Sequence, residues 1–153
     1  MTTLTLAQLL GKPGYGDKWD MDRQIEVGKK ATGSSSAIAP GRIAFLTEST
    51  GIWAIGTSGS TGRQGVIPAL APVNLDADDH LIIVTGPGSE IYVEGNGAIK
   101  PGADVVPDTG GKAKAGFGGQ WSYVGHYGEG SGLGIPATDG AAAEAWRIRK
   151  KIG

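Results

Sequence analysis

Three groups of residues have the types to do chemistry at a site, and a fourth is a run of charge. The loop GTSGSTGRQG, residues 56–65, is rich in glycine and hydroxyls, like a phosphate-cradling loop. It lacks the Gly-Lys-Ser/Thr ending, and no helical pattern follows it. It therefore reads as a polar surface loop. Asp76, Asp78 and Asp79 offer oxygen ligands to a hard cation, but the glycine and distant glutamate of a helix–loop–helix calcium site are missing. A solvated turn is the expectation there. His80 and His126 are two nitrogen ligands far apart in sequence, too few to define a zinc site. Each is expected to be an ordinary strand-end histidine. The chain has no cysteine, which removes disulfides and thiolate metal sites. No serine lies in a nucleophile-elbow pattern. Catalytic residues, cofactors and metal ligands are therefore all expected to be absent. The fourth group is Arg147, Arg149, Lys150 and Lys151, four cations within five positions. The run reads first as a solvated edge strand whose charges guard against aggregation. It is also compatible with a basic strip facing an acidic partner.

The composition favours turns over a large core. Of 153 residues, 28 are glycine, more than twice the usual share, and only 19% are charged. A net charge of −1 argues against a nucleic-acid binder, which needs a basic excess to neutralise phosphates. The longest apolar runs are four or five residues, too short to span a membrane as a helix. The start, MTTLTLAQLLGKPG, has neither a basic opening nor a long apolar run and does not read as a signal peptide.

From Gly41 onward the pattern is β. GRIAFLTES and GIWAIGT flank a hairpin turn at Ser49-Thr50-Gly51. GVIPALAPV, with two prolines, reads as an edge strand or an extended link. HLIIVTG is the best buried strand, GPGS a tight turn, and EIYVEG the expected hairpin partner of HLIIVTG. Pro101-Gly102 suits the centre of a type II turn. WSYVGHYGE places Trp121, Tyr123 and Gly125 on one face. AAAEAWRIRKKI is ambiguous: alanine favours helix, whereas Trp146 and Ile148 alternating with Arg147 and Arg149 favour strand. Strand is the reading adopted. The expected fold is all-β, a small sandwich or barrel-like domain with short hairpins over residues 41–153.

Residues 1–40 read as an extended N-terminal arm. Thr5-Leu6-Ala7-Gln8 fits a capping box opening a short helix that stops at Gly11. About five residues cannot hold a helix alone in water, where about twelve are marginal, so its Leu face needs a partner. Ile25 and Val27 can form one short strand. Extended, residues 11–40 reach roughly 100 Å at about 3.3 Å each, so the arm can wrap its own domain or cross to a neighbour. Leu6, Leu9, Leu10, Tyr15 and Trp19, together with Arg147 and Arg149, are the expected partner contacts.

The run GNGAIKPGADVVPDTGGKAKAG resembles the head decoration (capsid cement) proteins of tailed bacteriophages. The pattern is met by Gly97, Ala98, Ile99, Gly102, Val105, Asp108, Gly111 and Ala113. Val124-Gly125-His126, then Thr138-Asp139-Gly140-Ala141 and a final charged strand, follow in the expected places. The resemblance covers roughly residues 80–153; the arm and the GPGS turn lie outside it. It implies a β protein on the outer surface of an expanded capsid, in the virion. Its partners would be the major capsid protein and copies of itself, as a trimer foremost or a dimer. It implies no catalysis, cofactor, nucleic acid or membrane. Two other readings remain open: another virion part, such as a head fibre or tail protein, and a carbohydrate-binding β module stacking Trp53, Trp121 and Tyr123 on sugars. Alternation instead places those three rings in a core.

Overall fold

The computed structural model describes residues 3–5, 8, 25–30, 40–60, 62–67, 80–130, 132 and 134–151. The fold is all-β, in two sheets. The first is a closed five-stranded barrel of β1 (Ile25–Lys30), β2 (Ile43–Thr47), β3 (Ile52–Ile55), β4 (Gln64–Val66) and β5 (His80–Val84), in the order β1-β3-β2-β4-β5. The strand expected at Ile25 and Val27 is β1, which closes the ring by pairing parallel to β3 and antiparallel to β5. The second sheet contains β6 (Glu90–Glu94), β7 (Asp104–Pro107), β8 (Ala113–Ala115), β9 (Trp121–Gly125) and β10 (Ala145–Lys150), ordered β6-β10-β9-β7-β8. A lone parallel bridge between Gly95 and Ala113 ties its two ends, so it too is nearly closed.

Because strand side chains alternate between faces, neighbouring residues serve two cores. Ala44, Leu46, Trp53, Ile67 and Ile83 form one cluster within the barrel strands. Their neighbours Ile43, Val66 and Val84 pack instead with Ile91, Val93, Val105, Trp121, Tyr123, Trp146 and Ile148 of the second sheet. The barrel and the second sheet therefore share a core.

The local turn chemistry forms as expected at several points. The β2–β3 hairpin turns through residues 48–51. Thr57 and Ser60 close the start of the polar loop, with the Thr57 N–H donating to Ser60 Oγ at 2.9 Å. At Pro101-Gly102 the Ala103 N–H donates to Lys100 O at 3.1 Å and Gly102 has φ 86°. Residues 145–150 are strand, and the alanines before them form a turn. Asp76–Asp79 and the prolines of GVIPALAPV lie outside the described residues.

Two expectations are corrected. HLIIV and EIYVE are β5 and β6, but they do not form a hairpin; they belong to different sheets. The GPGS turn is bound instead to Lys150: the Gly88 N–H donates to Lys150 O at 2.8 Å and the Lys150 N–H to Ser89 O at 2.9 Å. The turn thus hands the chain from barrel to second sheet. The cationic strand β10 is not an edge, since it lies between β6 and β9. Trp146 and Ile148 are fully buried because they face the core shared with the barrel.

The close packing of Trp146 gives a test. A Cβ on Gly95 would lie 2.0–2.6 Å from the Trp146 ring. Gly95→Ala is expected to cost about 1–3 kcal/mol through overpacking, read as a lowered midpoint in denaturant unfolding. Lys100→Ala, at an exposed ion pair, is expected to change stability by less than about 1 kcal/mol.

Candidate partner-binding surface

The most exposed large apolar side chain among the described residues is Phe117, at 104% of its reference accessibility. It stands at the tip of the turn between β8 and β9, within Gly116-Phe117-Gly118-Gly119. The glycines are sterically required here. Gly118 has φ 77°, and a Cβ on Gly119 would fall 2.0 Å from the Val105 carbonyl oxygen. Asp104 pins the tip: its Oδ2 accepts the Gly118 N–H at 3.0 Å, and its backbone carbonyl accepts the Gly116 N–H at 3.0 Å. The Lys151 ammonium, 2.8 Å from Asp104 Oδ1, and then the Gly118 N–H hold the Asp104 carboxyl below the usual carboxylate range. Phe117 is thus a large apolar group on a backbone fixed by two hydrogen bonds to Asp104.

Concavities flank it on both sides. One is an open cleft of about 460 Å3 whose walls include Ser58, Gln64, Val106, Pro107 and Lys114. The other is shallower and is bounded by Ala103, Asp104 and Ala115. Small residues, glycine backbone and a few ions line both. Among the described residues, no group of three His, Asp or Glu side chains is placed to hold a metal ion.

The expected contact residues fare differently. Leu6, Leu9, Leu10, Tyr15 and Trp19 lie outside the described residues. The capping box itself forms: the Thr5 N–H donates to Gln8 Oε1 at 3.0 Å, and the Gln8 N–H to Thr5 Oγ1 at 3.2 Å. Just before it, Leu4 O accepts the Ala145 N–H at 2.8 Å, and Leu4 and Tyr92 both pack on Ala145. The start of the arm therefore lies on the chain's own second sheet. Arg149 is exposed, and its Nε donates to Glu90 Oε2 at 2.9 Å. Arg147 is 6% exposed, and its guanidinium is bound inward to the carbonyls of His126 and Glu129. A solvent-facing basic strip therefore loses Arg147, because the turn after β9 folds over it. Trp53, Trp121 and Tyr123 are at most 2% exposed. They are core, and the sugar-stacking reading falls with them. Phe117 was missed, although an aromatic framed by Gly116, Gly118 and Gly119 at a strand return is a readable signal of display.

His126 is also unlike the strand-end residue expected. It is buried, with Nδ1 2.9 Å from Glu129 Oε1 and Nε2 2.7 Å from Glu144 Oε1. Carboxylate oxygens only accept, so both contacts are hydrogen bonds when both ring nitrogens carry protons. Glu129 also accepts the backbone N–H groups of His126 and Thr138, at 3.0 and 3.1 Å, and the Thr138 hydroxyl at 2.9 Å. The Tyr123 hydroxyl donates to Thr138 O at 2.8 Å. This network ties His126, Glu129, Thr138 and Glu144 to one another and to Tyr123 of β9. It is consumed internally, so it reads as a structural clamp.

No protein-family model matches the chain, and no curated protein matches it.

The clamp predicts an acid limb in stability. Burial alone would raise the Glu129 carboxyl, but hydrogen bonds from the His126 and Thr138 backbone and side chains outweigh it and lower it from 4.5 to about 2. A depressed carboxylate stabilises the fold above its unfolded value and loses that contribution as pH falls through the folded one. The contribution is on the order of 3 kcal/mol, present above pH 4.5 and lost between there and about pH 2. Unfolding free energy measured across that window should fall less steeply in Glu129→Gln, which starts lower at neutral pH.

Proposed function

We propose that the chain is a structural virion protein that binds the outer surface of an expanded phage capsid and ties adjacent major capsid subunits together. The observation that carries this reading is Phe117, fully exposed on a tip whose backbone is held rigid. Folding gains nothing from displaying a phenylalanine in water, whereas burying one at an interface gains about 1.5–3 kcal/mol. Rigid display also limits the entropy lost on binding.

Other features fit the same role. The glycine-turn pattern of the decoration-protein resemblance falls on the second sheet, where Ile99, Val105 and Ala113 are buried, and the tip follows it between β8 and β9. The surface around Phe117 is shallow and mixed in charge, which suits broad contact with a protein. A net charge of −1 suits a position away from packaged DNA. On a shell, weak contacts repeat and avidity replaces single-site affinity. The arm residues Leu6, Leu9, Leu10, Tyr15 and Trp19 add a second contact in this scheme, and self-association, as a trimer or dimer, would present several tips together.

Co-sedimentation with expanded and unexpanded shells tests the reading. Saturable pelleting with expanded shells only is the expected result; no pelleting with either form overturns it and turns attention to a tail or fibre role. Phe117→Ala should weaken pelleting roughly 10- to 100-fold per site, from the burial energy at about 1.4 kcal/mol per tenfold. Its unfolding free energy should stay within about 0.5 kcal/mol of the parent, because the ring contributes no core. Replacing Leu9, Leu10, Tyr15 and Trp19 together by Ala should also weaken pelleting.

A further inference from the structure

The turn Gly95-Asn96-Gly97 is more than a connection between β6 and the segment that follows. Asn96 Nδ2 donates to Asp108 Oδ2 at 2.7 Å. The amide sense is fixed, because a carboxylate can only accept. Asp108 Oδ1 receives the Ser58 hydroxyl at 3.1 Å from the barrel's β3–β4 loop, and Lys114 Nζ lies 3.7 Å away. Asn96 is therefore one donor in a polar cluster that joins the second sheet to the barrel. Asp108 remains a carboxylate at neutral pH, held below its usual range first by the Thr109 N–H and then by the Asn96 amide.

The residue after Asn96 is the least hindered one available. Gly97 is exposed, has φ 113°, and a Cβ placed there would meet nothing within 4 Å. Its N–H makes no hydrogen bond among the described residues. The peptide nitrogen that must attack the Asn96 side chain is thus free of both steric cover and a competing acceptor.

We propose that Asn96-Gly97 is a spontaneous deamidation site whose product breaks the Asn96–Asp108 bond within the polar cluster that joins the second sheet to the barrel. The Gly97 nitrogen, having lost its proton to hydroxide, forms a bond to Asn96 Cγ. The Cγ–Nδ2 bond breaks and Nδ2 leaves as ammonia, giving a five-membered imide. Water then opens the ring at either carbonyl, leaving aspartate or isoaspartate at position 96. No oxidant or reductant is involved. Either product replaces a donor by a carboxylate facing the Asp108 carboxylate. The attraction becomes like-charge repulsion, and Ser58 and Lys114 lose their fixed acceptor. Those two residues also line the cleft beside Phe117, so the change reaches the candidate binding surface. The modification itself does not depend on that surface's function.

The chain carries its own control. Its two asparagines are Asn74, followed by Leu75, and Asn96. The intact protein is incubated in alkaline buffer and digested, and the peptides are read by mass for the exchange of amide for acid, with enzymatic detection of isoaspartate. Conversion at Asn96 far ahead of Asn74 is expected; equal or slower conversion overturns the site. Asn96→Gln, whose longer side chain disfavours ring closure, should remove the signal while keeping an amide, and persistence of the signal would place the chemistry elsewhere. Asn96→Asp reproduces one product directly. It should lower the thermal midpoint, and adding Asp108→Asn should restore it by exchanging donor and acceptor. An Asn96→Asp variant as stable as the parent overturns the breaking of the Asn96–Asp108 bond.

Discussion

The seam between barrel and second sheet depends on Lys150. This lysine is 2% exposed. Its ammonium donates to the Gln64 carbonyl at 3.2 Å and the Thr85 carbonyl at 3.3 Å, and lies 5.4 Å from the centre of the Trp121 ring. Its backbone holds the turn that carries the chain between the sheets. Burying an ammonium is costly unless its donors are met, so the barrel strands must present carbonyls where β10 ends. Around it, Gln64 Oε1 accepts the Trp121 indole N–H at 3.1 Å, and Gln120 bonds both Gly62 O and the Gln64 N–H. These polar groups fix the register of one sheet on the other more sharply than apolar contact would, because each misplacement leaves a buried group unsatisfied.

From that seam the rest of the second sheet follows. β10 is held between β6 and β9, with Trp146 and Ile148 on the core face and Arg147 under the turn after β9. The His126–Glu129–Glu144 network then closes the long segment before β10. The molecule's described concavities are open, and its prominent apolar group is a knob.

Legibility from sequence followed the range of the forces. Every expected strand that lies in the described residues forms, the turns at 48–51 and 101–102 form, and the Thr5–Gln8 capping box forms. Each is decided within a few residues by alternation, by turn chemistry or by a hydroxyl facing an N–H. Expectations failed where a partner distant in sequence decides. β5 and β6 were read as a hairpin because they are neighbours in the chain, but β6 finds β10 more than fifty residues later. The charges of β10 pointed to an edge, but Glu90 receives Arg149, the carbonyls after β9 receive Arg147, and barrel carbonyls receive Lys150. His126 looked ordinary because Glu129 and Glu144 carry no meaning until the turn brings them to both ring nitrogens.

The candidate surface divides the same way. Gly116, Gly118 and Gly119 around Phe117 already specify a tight turn with an aromatic at its tip. That Phe117 has no core to enter is a tertiary fact: Asp104 of β7 fixes the backbone of the tip while the ring stays in water. The sequence by itself determined the all-β class, the strand segments and the glycine turns, because short-range sterics and hydrogen bonds select them. Only the tertiary structure decided which strands are neighbours, which charges are buried and which aromatic faces water, because those outcomes depend on pairing energies between residues far apart in the chain.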